Sequence, residues 1–170
     1  MTRGPFSYRL EQPDDSDRIE TLHRDVFGPG RFAKSAYRLR EGVAHEPALS
    51  FVALSDGALV ASVRLTPIAI GSRPALLLGP LVVEPAYKGQ GAGKALVRMS
   101  LDAARAAGHG LLLLVGDEPY YGPLGFSKLP AYAITLPGPA DPDRVLVAGF
   151  AEGALDGLSG PVTSLRDNGA

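Results

Sequence analysis

Lys88, Gly89, Gly91, Gly93 and Lys94 fall in one short stretch, LVVEPAYKGQGAGKAL (residues 81–96), between an apolar run and a helix-forming one. Glycine lets a main chain approach a ligand closely and take positive φ without a Cβ clash. A helix start turns unpaired N–H groups and a partial positive charge toward the same place. A strand, a glycine loop and a helix in that order make a phosphate cradle. Two common phosphate loops do not fit. A Walker A loop needs Gly where Lys88 stands and Ser or Thr where Ala95 stands. A dinucleotide fingerprint counted from Gly91 needs Gly at Lys94.

The elements that must hold this loop can be read from periodicity. Phe6 to Leu10 alternates as a first strand. Pro13-Asp14-Asp15-Ser16 is N-cap chemistry, and Ile19, Leu22, His23, Val26 and Phe27 then share a helical face. Gly28-Pro29-Gly30 breaks that helix, and 32–40 reads as a second, short one. Residues 50–54 and 58–66 form a hairpin across Ser55-Asp56-Gly57. Residues 74–83 are a strand interrupted by Gly79-Pro80, where a bulge or kink is expected because proline cannot donate a ladder bond. Helix 94–107, ended by Gly108, leads to Leu111–Val115, apolar at every position as in a strand covered on both faces. This strand–helix–strand run predicts a right-handed βαβ unit. Two late strands are expected at 132–136 and 144–150, and the tail from Gly153 is expected to be irregular.

Composition excludes several classes. The chain has 170 residues, 45% of them hydrophobic, which suits a single globular domain. We expect one domain over 1–170, with its core at about 6–150 and an irregular tail at 151–170. Net charge is −1, so bulk charge does not hold a nucleic acid, and no basic–aromatic platform marks a nucleic-acid groove. Without Cys there is no disulfide, thiolate metal site or Cys nucleophile. His23, His45 and His109 are scattered at no metal-ligand spacing. The first fifteen residues lack a signal-peptide core, and no apolar run spans a bilayer. A cytoplasmic protein with no membrane partner is expected. Homodimerisation is left open.

A third phosphate loop does fit. The context of LVVEPAYKGQGAGKAL resembles the acyl-CoA pyrophosphate loop of the GCN5-related N-acetyltransferase (GNAT) family, Gln/Arg-x-x-Gly-x-Gly/Ala. Lys88, Gly91 and Gly93 take its three marked positions, Lys88 being a departure that keeps a cation near pyrophosphate. A slipped register, Gln90-x-x-Gly93-x-Ala95, also matches by letter. After the next strand, Tyr121-Gly122-Pro123-Leu124-Gly125-Phe126 is similar to the family's Tyr-x-x-x-Gly-Phe. VGDEPYYGPLGF and the tail GALDGLSGPV are similar, more narrowly, to the YhbS type.

The resemblance implies an α/β fold: a single-domain GNAT-like mixed, mostly antiparallel sheet of about six or seven strands, parallel only across a central βαβ acyl-CoA-binding unit. It implies an N-acetyltransferase that moves acetyl from acetyl-CoA to a primary amine by direct attack in a ternary complex. The acceptor, a small molecule or a protein amine, is unspecified, and no metal is needed. Main chain of Leu81, Val82 and Val83 would pair with the pantetheine arm, with the Val83 N–H at the thioester oxygen. Lys88, Gly89, Gln90, Gly91, Ala92, Gly93 and Lys94 would hold the pyrophosphate. Tyr121, with Tyr120 as rival, would protonate the leaving thiolate, since phenols titrate above thiols. Glu84 is the nearest carboxylate for a general base, followed by Asp117 and Glu118. Arg31, Lys34, Arg38 and Arg40 form either a solvated face or an acceptor-site wall suited to a carboxylate or phosphate, with Phe32 and Tyr37 beside them. The alternative function is a non-catalytic acyl-CoA-binding regulator.

Overall fold

The chain runs β1 (Ser7–Leu10), α1 (Ser16–Phe27), α2 (Ser35–Arg40), β2 (Phe51–Ser55), β3 (Ala58–Ile70), β4 (Arg73–Val83), α3 (Ala92–Ala106), β5 (Leu111–Val115), α4 (Glu118–Tyr121), β6 (Ser127–Lys128), β7 (Ile134–Thr135), β8 (Val145–Gly149) and β9 (Gly160–Ser164). This computed structural model describes residues 6–33, 35–138 and 140–165. The Asp15 carboxylate accepts the Gln12 N–H at 2.8 Å and pairs with Arg9 at 2.7 Å, which fixes the turn that launches α1. Ile19 and Leu22 then pack α1 on Val52, Leu59 and Val82 of the sheet.

The main sheet has the order β1-β2-β3-β4-β5-β8-β6, antiparallel throughout except between β4 and β5. There Leu76 and Leu77 lie beside Leu112 and Leu113, and α3 makes the crossover. In β5 the side chains of Leu112 and Leu114 enter the core under α3, with Leu96 and Val97. Those of Leu111 and Leu113 enter a second core with Leu39, Ile134 and Leu158. Cores on both sides explain a strand with no polar position.

The expected interruption in β4 is a β-bulge. Val63 pairs with Leu81 and Leu65 with Leu78, so Arg64 stands opposite both Gly79 and Pro80. β5 pairs with β4 only on one side of this bulge.

Three expectations need correction. Among the described residues there are nine strands, more than the six or seven expected, two of them off the main path. The tail is not irregular throughout, because β9 pairs with Ile68–Ile70 of β3. β7 runs parallel to β9, a second parallel contact outside the βαβ unit. The cause is the length of β3. Its pairing with β2 ends at Val63, which leaves buried backbone groups farther along needing partners. β9 supplies them and buries Val162, 3% exposed, against the second core. The late strand predicted at 132–136 is only Ile134–Thr135, while Ser127–Lys128 adds an unpredicted edge to β8.

Val162→Ala should therefore destabilise the protein by about 2 kcal/mol in urea unfolding. Glu152→Ala, on an exposed part of the same tail, should change little. Equal, negligible effects of both would remove β9 from the folded core.

Candidate active site

α3 begins immediately after Gly91, whose φ of 91° is a conformation that favours glycine. The main-chain N–H groups of residues 89–94 have no acceptor among the described residues. The first protein-bonded amide after them is Ala95, which donates to the Gly91 carbonyl at 3.0 Å. A run of donors without a described acceptor thus stands at a helix start, with Lys88 and Lys94 exposed beside it and Ala92 and Gly93 themselves buried. Gly93 serves a different purpose. It is buried, and a β-carbon there would lie 2.6 Å from the Tyr120 hydroxyl oxygen. Positive φ at Gly91 and close approach at Gly93 fit the register that places Lys88, Gly91 and Gly93 on the loop's marked positions.

β4 presents a second set of main-chain groups. Glu84 donates its N–H to the Val60 carbonyl at 2.8 Å, directly across from it in register with the Val83–Ala61 pair. Antiparallel pairs alternate between bonded and unbonded. Val82 is therefore bonded to β3, whereas Leu81 and Val83 direct their N–H and C=O groups away from it. On that side β5 has already diverged, since its pairing with β4 ends at Leu77. The two strands open into a cleft lined by free main-chain groups of Leu81 and Val83.

The cleft leads into a cavity of about 650 Å³. α1 and α2 contribute His23, Tyr37 and Arg40, and the segment between them contributes Arg31. β3 contributes Arg64, the bulge contributes Gly79, Pro80 and Leu81, and the end of β5 contributes Leu114 to Asp117. Tyr120 and Tyr121 close the wall. The Tyr121 ring packs edge-on between Tyr120 at 4.7 Å and Phe126 at 6.1 Å. Burial, with smaller contributions from Tyr120 and Asp117, pushes its phenol up to about 12. It thus stays a hydrogen-bond donor at any working pH. Transferring its proton fully to a thiolate is uphill, because thiols titrate near ~8.5, so donation to the developing charge is the chemistry it offers. Gly116 makes room for it: a β-carbon there would lie 2.5 Å from the Tyr121 ring.

Behind the wall, buried Glu11 receives Arg64 through two bonds of 2.9 and 3.0 Å and His45 Nε2 at 3.0 Å. Burial opposes its ionisation, but the hydrogen bonds from His45 and Arg64 prevail and hold its pKa below the ordinary carboxylate value. This network joins residues far apart in the chain, and no local motif announces it. The structure also redistributes the expected carboxylates. Glu84 lies outside the cavity, its carboxylate held by Arg18 at 3.1 Å. Asp117 is in the wall and accepts from Arg144 at 3.2 Å. Glu118 lies 3.8 Å from Lys128. Of the basic cluster on the second helix, Arg31 and Arg40 reach the cavity, while Arg38 turns out to the Pro137 carbonyl at 3.1 Å. Lys34 and the side chain of Phe32 lie outside the described residues. Among those described, no group of His, Cys, Asp or Glu could hold a metal, and no helix is long and apolar enough to cross a membrane.

His23, buried in the cavity wall, has an Nε2 with no hydrogen-bond partner. Burial first, then Arg64, drives its pKa down to about 4. An unfolded His binds a proton near ~6.5, so the unfolded state takes up protons that the folded state refuses between these values. Stability should be full above pH ~6.5 and fall by about 3 kcal/mol on acidification toward pH 4. Urea unfolding across this range should show that decline for the parent and a flatter profile for His23→Gln.

The model of the acetyltransferase (GNAT) family matches residues 16–126. The chain is 29% identical over 157 residues to the N-acetyltransferase YhbS of Escherichia coli K12, covering 91% of this chain and 93% of that one. The crystal structure of E. coli YhbS in complex with CoA aligns with a TM-score of 0.79 and 27% identity, over 96% of this chain and 93% of the other. A GNAT family acetyltransferase from Brucella melitensis in complex with acetyl-CoA aligns with a TM-score of 0.60 and 28% identity, over 89% and 99% of the two chains. A family match across loop, crossover helix and Tyr motif, on a fold that parts its sheet at the same loop, leads to one conclusion: the chain belongs to the acetyltransferase (GNAT) family, and its family chemistry is acyl transfer.

Proposed function

We propose that the protein transfers an acetyl group from acetyl-CoA to a primary amine by direct attack in a ternary complex. The observation that carries this reading is the row of unsatisfied N–H groups over residues 89–94, continuous with the cleft at Leu81 and Val83. Binding of CoA and acetyl-CoA by the two related structures supports it. When bound, acetyl-CoA supplies the acyl group as a thioester. The helix-start amides and the Lys88 and Lys94 cations hold the pyrophosphate. Leu81 and Val83 pair with the pantetheine arm as an added strand would. Leu81, which reaches the cavity, has the N–H best placed for the thioester oxygen, in place of the Val83 N–H that the family resemblance implies. Val82 contributes packing, since its main chain is turned to β3.

In the transfer a bond forms from the amine nitrogen to the acyl carbon, and the carbon–sulfur bond breaks. The amine loses a proton and sulfur gains one, so CoA departs as the thiol. Tyr121 donates a hydrogen bond to sulfur as negative charge gathers there. His45 and Asp117 are titratable groups of the cavity wall that can accept the amine's proton, directly or through water. Glu84, tied to Arg18, does not enter this reading as the base. That displacement favours one other reading, an acyl-CoA-binding regulator that acylates nothing.

Acetyl-CoA binding by calorimetry, paired with CoA release over a panel of amines, separates the two. Turnover with some amine is expected, as is a loss of acetyl-CoA affinity on the order of 100-fold in Gly91→Glu, whose carboxylate would face the pyrophosphate. Tyr121→Phe should lower kcat by ~100-fold with little change in acetyl-CoA affinity. For the parent, kcat/KM should rise with pH as the amine deprotonates and show no falling limb from Tyr121 below pH ~10. Binding without turnover would favour the regulator. Unchanged binding by Gly91→Glu would remove the loop assignment.

A further inference from the structure

Arg40, the last residue of α2, carries a guanidinium with no hydrogen-bond or ion-pair partner among the described side chains. It is largely buried and faces the cavity beside the bulge, its Nη1 3.5 Å from where a β-carbon on Gly79 would stand. Its side chain makes no hydrogen bond or ion pair with any described residue. Burial, then Arg64, pulls its pKa down to about 10 against a smaller upward effect of Tyr37, which leaves it fully charged at neutral pH. The neighbouring cations are engaged. Arg64 is bidentate on Glu11 at 2.9 and 3.0 Å, and Arg144 lies on Asp117 at 3.2 Å. Arg31 donates to the Gly28 carbonyl at 2.7 Å and reaches Glu20 at 3.5 Å. The Asp141 carboxylate caps its own turn by accepting the Asp143 N–H at 2.9 Å.

A largely buried, unpaired guanidinium is costly, and an apolar side chain would cost less in its place. Its position is explained by an anion that arrives from outside. Guanidinium matches a carboxylate as one planar fork to another, and a single negative charge balances it. A phosphate dianion would require a second uncommitted cation, which the described wall does not offer. Arg40 meets the bulge at Gly79, and Leu81 stands two residues farther along β4, about 7 Å away at the usual rise of a strand. An anion on Arg40 would therefore lie a few bonds from an amine at the thioester.

We propose that the acceptor is an amino-carboxylate of amino-acid size, with its carboxylate bound by Arg40 and its amine presented to the thioester beside Leu81 and Tyr121. This rests on the acetyl-transfer reading above and specifies its acceptor class.

The test follows CoA release from the parent with amino acids, their decarboxylated counterparts and aminoalkylphosphonates of equal length. The expected result is a kcat/KM for at least one amino acid ~100-fold above that of its decarboxylated amine. In Arg40→Ala the KM for that amino acid should rise by a similar factor and the preference should shrink toward unity, with acetyl-CoA affinity unchanged. Arg40→Lys should recover part of the preference. Decarboxylated amines or phosphonates used as well as amino acids by the parent would overturn the proposal, whether or not the variants fold. So would a parent that binds acetyl-CoA but acetylates only amines without a carboxylate. Failure of the parent to bind acetyl-CoA would instead defeat the acetyl-transfer reading itself.

Discussion

β4 and β5 run side by side at Leu76 and Leu77 and then part, and the rest of the site depends on that parting. Had the pairing continued, β5 would have satisfied the main-chain groups of Leu81 and Val83, and the sheet would have no opening. The bulge at Gly79-Pro80 stands where the two strands separate, opposite Arg64. Beyond it the alternation of antiparallel bonding turns Val82 toward β3 and its two neighbours toward the gap. A rule of strand geometry thus selects which amides are available to a ligand.

The opening is useful because other elements converge on it without filling it. α3 starts at one end of the cleft with its first amides unsatisfied, and Ala92 and Leu96 anchor that end in the core so that the donors stay fixed. The short helix after β5 folds Tyr120 over Gly93 and Tyr121 against Gly116, and in each case a missing β-carbon makes the space. α1 and α2 close the far side with His23, Tyr37 and Arg40. The electrostatics follow from the same packing. Glu11 behind the wall neutralises Arg64 and positions His45, while the Arg40 side chain at the chamber's edge has no hydrogen bond or ion pair among the described residues.

Much of the frame is legible along the chain. The loop from Lys88 to Lys94, the all-apolar β5 and the bulge at Gly79-Pro80 depend on neighbours within a few positions, so their patterns survive in one dimension. β9 escaped notice because nothing within Gly160–Ser164 calls for a strand. The demand comes from the unpaired edge of β3, about ninety residues earlier in the chain. The surroundings of Glu84 are set in a similar way. Its closeness to the loop in sequence suggested a base, but its side chain faces α1 and meets Arg18.

Sequence alone therefore determined the glycine loop, the crossover unit and the Tyr motif, since glycine placement, apolar runs and local spacing are short-range properties of the chain. The tertiary structure alone decided which amides of β4 are free and that Glu11, His45 and Arg64 form one network. It also decided which cation of the second helix faces the chamber without a partner. Hydrogen-bond satisfaction and charge pairing are relations between distant segments, and they exist only once the sheet has set those segments side by side.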